Sequence, residues 1–239
     1  MSLYDNYGTT MFSVLPESKK KAVLQKLELI EKSVLSPDMS DLVKVFVINK
    51  YIVTTSIYDR VNYYQKKNGK RKSLPDDDYS LYGVLCKKMG VCAGIAQAVC
   101  LILARQKIEC KYVTGDIKDG GLHAWNMVKL NGKWYALDVT WNLNSYYSAK
   151  SKKANLDASK KPNFIKKYQG KFYEEEMEKG IVEYFLLTDS QMRTTRSWKY
   201  KDFPVCNESP YSHGKYLDEV VKYEQTGKKR ILKRTIWPV

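Results

Sequence analysis

At 239 residues, 44% of them hydrophobic and 13% aromatic, the chain can bury one sizeable core, which excludes a disordered, charge-dominated polymer. Its 41 Lys and Arg against 26 Asp and Glu give a formal charge of +15, spread over residues 19–21, 66–72, 150–161 and 228–234. No recognition helix or stacking motif gathers that charge. It therefore reads as a solvated basic surface, open to an anionic surface or cell-wall polymer but not to specific nucleic-acid readout.

Residues 16–35 predict an amphipathic helix: Ala22, Val23, Leu24, Leu27, Ile30 and Val34 recur at three- and four-residue steps, with Pro16 suited to the first turn and Pro37 just past the end. A second helix is predicted over 40–58, with Leu42, Val45, Phe46, Ile48, Ile52 and Val53 as its apolar side and Asp41 in its first turn. Residues 62–78, rich in Lys and Asp and carrying Asn68-Gly69 and Pro75, read as an exposed loop. Over 90–106, Ile95, Ala96, Val99, Leu101, Ile102 and Leu103 make a helix apolar nearly all round, which belongs at the centre of a fold. Cys92 stands at its start, between Gly90 and Gly94.

Strands are predicted over 109–117, 122–130 and 133–141, the last two joined by Asn131-Gly132, a strong two-residue hairpin signal. Residues 145–163, dominated by Ser, Lys, Ala and Asn, read as a polar insertion, and 182–187 as a further strand. The predicted organisation is a helical extension over 1–60 packed on a core over 61–239. The longest apolar run, 91–104, is short for a membrane span and contains Cys92, Gln97 and Cys100, so no transmembrane segment is expected. The start Met1-Ser2-Leu3-Tyr4-Asp5 lacks the regions of a secretory leader, which leaves a cytoplasmic location or, had a leader been trimmed, an exported one.

A two-residue turn at Asn131-Gly132 makes Leu130 face Lys133, and the same register sets His123 opposite Thr140 and Trp125 opposite Asp138. Alternation then projects His123 and Asp138 from one face as diagonal neighbours, with Cβ atoms roughly 7 Å apart, within hydrogen-bonding reach of each other's side chains. A carboxylate on one ring nitrogen fixes the tautomer and frees the other to deprotonate a nucleophile. Cys92 is the candidate: helix dipole and imidazolium both favour thiolate, and a helix packed across the His123 and Asp138 face would deliver it. The Cys92 N–H, unpaired at the helix start, suits half of an oxyanion hole.

Five cysteines, Cys86, Cys92, Cys100, Cys110 and Cys206, guarantee one unpaired thiol, and Cys100 and Cys110 read as packed core residues. No Cys-x-x-Cys spacing exists, only His123 and His213 are available as imidazoles, and Asp116 and Asp119 beside Gly120-Gly121 lack the spacing of a calcium loop; no metal or other cofactor is expected. His213 reads as a surface turn residue. Asn126 is three residues from His123 on the opposite face of its strand, a structural position. Trp125, Trp134 and Trp141 suit either an acyl groove or cross-strand packing, and Trp125 is retained as a substrate candidate.

Gly90-Val91-Cys92-Ala93-Gly94, His123-Ala124-Trp125-Asn126 and Trp134-Tyr135-Ala136-Leu137-Asp138-Val139-Thr140-Trp141 resemble, in order and spacing, the three core motifs of transglutaminase-like proteins. Ser56-Ile57-Tyr58-Asp59 and Tyr184-Phe185-Leu186-Leu187-Thr188-Asp189 resemble bacterial members, so the similarity spans about residues 41–189. The resemblance implies an α+β, papain-like fold in which a central cysteine-bearing helix packs on an antiparallel sheet, preceded by N-terminal helices. It implies a thioester formed from an amide by Cys92 as nucleophile, with His123 as general base and acid and Asp138 orienting it, on a protein or peptide substrate. Related enzymes draw a second oxyanion donor from an upstream side chain, for which Tyr82 is the first candidate and Tyr79 the second. The family holds peptidases, amidases, transglutaminases and members of unknown activity, and favours the cell surface or exterior. The small size favours hydrolysis over transamidation. The alternatives are a catalytically silent module binding protein or anionic polymer, and nucleic-acid binding resting on charge alone.

Overall fold

The computed structural model describes residues 7–118, 120–158, 179–208, 215–228 and 231. Asp119, His213, the segment 159–163 of the polar insertion, the first five residues and Arg234 lie outside the described residues. The N-terminal third is helical: α1 (Tyr7–Ser13), α2 (Glu17–Ser33) and α3 (Asp41–Thr55). Helix α2 buries Val23, Leu27 and Ile30 and leaves its lysines half-buried or exposed. Helix α3 is closed by Ser40, whose side chain accepts Val43 N–H, and is buried from Leu42 to Val53.

A two-residue strand, β1 (Ile57–Tyr58), follows and pairs in parallel with β2 (Met89–Gly90), so the predicted second helix ends three residues early. The predicted exposed loop opens instead as α4 (Arg60–Lys67), because Asp59 caps it by accepting Asn62 N–H at 2.9 Å. A 3₁₀ turn (Asp76–Tyr79) and a single π-helical turn (Gly83–Lys87) lead to β2 and then to α5 (Cys92–Arg105), buried from Gly94 to Leu103. Its all-round apolarity has a plain cause: α1, α3, α6 and the sheet all pack against it.

The sheet is antiparallel in the order β5–β4–β3–β6, from β3 (Cys110–Ile117), β4 (Leu122–Leu130), β5 (Lys133–Leu137) and β6 (Arg196–Ser197). The hairpin register is the predicted one, Leu130 facing Lys133 and Asn126 facing Leu137, set by a turn with Asn131 at φ 50° and Gly132 at φ 79°. Ala124 and Val128 turn towards α5 and the main core, which also holds Ile95 and Val99. The other face carries Val113, Trp125, Met127 and Ala136 into a second cluster with Met192, Trp198, Phe203 and Cys206.

Two predicted strands are corrected. The strand expected over 133–141 stops at Leu137, and α6 (Val139–Ala158) starts at once, so most of the polar insertion is helical and Thr140 does not face His123. Asp138 causes the switch, since its Oδ1 accepts Trp141 N–H at 2.9 Å as an N-cap. Residues 182–187 form no strand: Leu186 sits at φ 54°, and one bridge joins Leu187 to Ala136. The chain closes with α7 (Asp189–Met192), β6 and α8 (Lys215–Gln225). No helix among the described residues is long and apolar enough to cross a membrane.

Candidate active site

Cys92 is the first residue of α5, and the backbone before it is clamped twice. Asp59 N–H donates to Gly90 O at 3.1 Å and Val91 N–H to Asp78 O at 2.9 Å. The start of α5 lies so close to this strap that a Cβ on Gly94 would stand 2.7 Å from Ser80 O. Val91, at the N-cap, has no side chain able to cap the helix, so the first turn of α5 gains no side-chain acceptor there.

His123 begins β4, 7% exposed, and Asp138 is 0% exposed between β5 and α6. His123 Nε2–H donates to Asp138 Oδ2 at 2.7 Å, which leaves Nδ1 for the Cys92 side chain, also hydrogen-bonded to the ring. Burial on its own disfavours imidazolium. The Asp138 charge and hydrogen bond, followed by those of Cys92, outweigh burial and raise the His123 pKa to about 9. Burial likewise opposes ionisation of Asp138, but the charge and hydrogen bond of His123, the charge of Arg196 and the Trp141 N–H hold it below the usual carboxylate range.

The route by which the thiol reaches the imidazole corrects the sequence reading. Helix α5 does not lie across the face bearing His123. It packs on the opposite face, where Asn126 Nδ2 donates to Ala96 O at 3.0 Å and Cys100 Sγ at 3.1 Å, and Cys92 meets His123 because both stand at the ends of their elements. Had the helix crossed the His123 face, Trp125 and Met127 would have to leave the second cluster.

Cys92 and His123 open into a cleft of about 670 Å³ whose walls include Tyr58, Tyr63, Tyr79, Tyr112, Lys66 and Leu122. Burial pushes up the pKa of Tyr58 and Tyr112, keeping both as neutral hydroxyls. Tyr79 lines this cleft with Cys92, whereas Tyr82 packs beside the main core with its ring under Lys19 and Lys87. Trp125 is 1% exposed and stacks on His123 at 5.8 Å from within the second cluster, away from the cleft walls. Among the described residues no three His, Cys, Asp or Glu side chains converge as metal ligands would, and all five cysteines are free thiols. Burial, and then the charge of Asp59, lift Asp78 to about 6 beside the strap.

Arg196 escaped the sequence reading. Its guanidinium, 0% exposed, donates to the Asp138 oxygen that also accepts from His123. Nothing in Thr194-Thr195-Arg196-Ser197-Trp198 marks it, since its partner lies 58 residues away. Tyr58, Tyr63 and Tyr112 were equally silent as cleft residues, being drawn from three separate elements.

Fold and site together define an α+β protein in which a thiol at the start of a buried helix, an imidazole and a carboxylate meet at one end of an antiparallel sheet. Residues 30–139 match the family described as the transglutaminase-like superfamily, a stretch that runs from the end of α2 through Cys92, His123 and Asp138 to the start of α6. Among solved structures it is similar to a TGase at 19% identity and TM-score 0.40, over 53% of this chain and 34% of that one. It is also similar to a protein of Cytophaga hutchinsonii proposed to be a cysteine protease, at 17% identity and TM-score 0.35, over 54% and 44%. The matched part thus spans less than half of either relative. No curated protein matches the chain.

Proposed function

We propose that the chain is a cysteine-dependent acyl-transfer enzyme acting on amide bonds of a protein or peptide, with Cys92 as nucleophile, His123 as general base and acid, and Asp138 as its orienting carboxylate. The observation that carries this reading is the unbroken hydrogen-bonded series from the Cys92 side chain through the His123 ring to Asp138, with its thiol end in the cleft. The Cys92 thiolate attacks the amide carbonyl and forms a C–S bond. As the C–N bond breaks, the leaving amine takes the proton from His123. Water then attacks the thioester, giving its proton to His123, and the released thiolate recovers the starting state. The Cys92 N–H would hold the developing oxyanion, and Tyr79, already in the cleft, suits the second donor better than Tyr82. Hydrolysis is the proposed fate of the acyl group, and α1 to α3, up to residue 60, are proposed as an extension packed on that catalytic core.

The pH dependence of iodoacetamide alkylation, mapped by mass spectrometry to each cysteine, tests the reading. Rapid labelling of Cys92 well below the ordinary thiol pKa of about 8.5, abolished in His123→Ala, is expected. Ordinary Cys92 reactivity in the folded protein would refute the triad and favour the silent binding module. Trapping the thioester with a labelled amine, against release of free acid, separates transamidation from hydrolysis.

A further inference from the structure

The Arg196 guanidinium lies in a cage of three rings, with Trp141 at 4.1 Å and Trp125 and Tyr184 each at 5.5 Å. Nη1 donates to Asp138 Oδ2, Nε donates to Thr195 Oγ1 at 3.2 Å, and Nη2 has no hydrogen-bond partner among the described residues. A permanent charge so far from water is unfavourable unless an anion faces it, and Asp138 is that anion. The strand that carries Arg196 lies beyond the 30–139 stretch of the family match, and reaches the site by pairing Ile117 with Arg196 along β3.

We propose that Arg196 is a positioning residue of this site, holding the Asp138 carboxylate in place between the cap of α6 and the ring of His123 and sharing its negative charge with that ring. The proposal rests on the triad reading above. Its chemical consequence follows from charge division: one carboxylate oxygen serves two cations, so His123 is held as imidazolium less firmly than a lone carboxylate would hold it. A guanidinium that merely filled the cage would affect stability without touching the His123 titration. The titratable side chains acting on His123 are Asp138 and Cys92. Around the Asp138–Arg196 pair stand Tyr184 and, beyond it, Glu183, while Asp116 lies across from Ser197 on β3.

Imidazole NMR titration tests this in Arg196→Met and Arg196→Gln, two neutral variants, with Arg196→Lys as the charge-restoring one. The sequence holds one other histidine, His213, whose signal reports non-specific effects. The expected result is a rise of about half to one pH unit in the His123 midpoint in both neutral variants, reversed towards wild type by Lys. An unmoved midpoint in a folded neutral variant overturns the proposal. So does failure of both neutral variants to fold, which would assign the guanidinium to stability alone. Wild-type Cys92 alkylation that ignores His123→Ala would sink the triad, and the positioning role with it, on a signal separate from the titration.

Discussion

Asp138→Asn retains the shape of the side chain and an oxygen for the Trp141 N–H, so the cap of α6, worth about 1 kcal/mol, survives the change. What disappears is the negative charge facing Arg196, where both side chains are 0% exposed. Deleting one partner of a buried pair costs about 3–5 kcal/mol, because the survivor stays charged and dry. Arg196→Met should cost less, because Asp138 keeps the His123 ring and the Trp141 N–H as partners. In the double variant neither charge remains, so its loss should fall short of the sum of the single losses by about 2–3 kcal/mol. Urea unfolding of the four proteins near neutral pH measures this, provided the slopes agree. Single losses that add to within about 0.5 kcal/mol would refute the idea that the pair stabilises as a unit.

The His123 pKa of about 9 lies above its ordinary value of 6.5, so its stabilising contribution is complete below about pH 6.5 and is lost as pH rises through 9. At about 1.4 kcal/mol per pH unit this amounts to about 3 kcal/mol, read as the wild-type minus His123→Ala difference in unfolding free energy between about pH 6 and about pH 9.5; a difference flat across that window would contradict the coupling. Gly94→Ala gains about 1 kcal/mol in helix propensity but drives a Cβ to 2.7 Å from Ser80 O and 2.9 Å from Asp78 O, both backbone atoms. The contacts should win: the start of α5 shifts, and Cys92 alkylation slows by about tenfold or more. A stabilised variant with wild-type labelling would show that the strap does not set the thiol.

The site was legible where local rules decide the geometry, and hidden where they do not. Asn131-Gly132 fixes the hairpin register, and Gly90 to Gly94 mark a crowded helix start, so Cys92, His123 and Asp138 stood out from motif and turn alone. At Asp138 the predicted strand ran too far, because a polar residue ending an apolar run reads equally as strand or as helix cap, and the Trp141 N–H decides for the cap. That one side chain caps α6 through Oδ1 and meets His123 and Arg196 through Oδ2, so helix start and imidazole are placed by the same carboxylate. Asn126 supplies the complementary tie: it faces α5 and secures it to β4, so the thiol approaches from the face that the strand alternation denies to His123. Arg196 lay beyond any local rule, since an arginine beside threonines and a tryptophan looks like surface until the tertiary fold closes three rings around it. Its burial follows from Asp138 rather than from its own neighbours in sequence, because the cage becomes tolerable for a cation only when a carboxylate forms one of its walls.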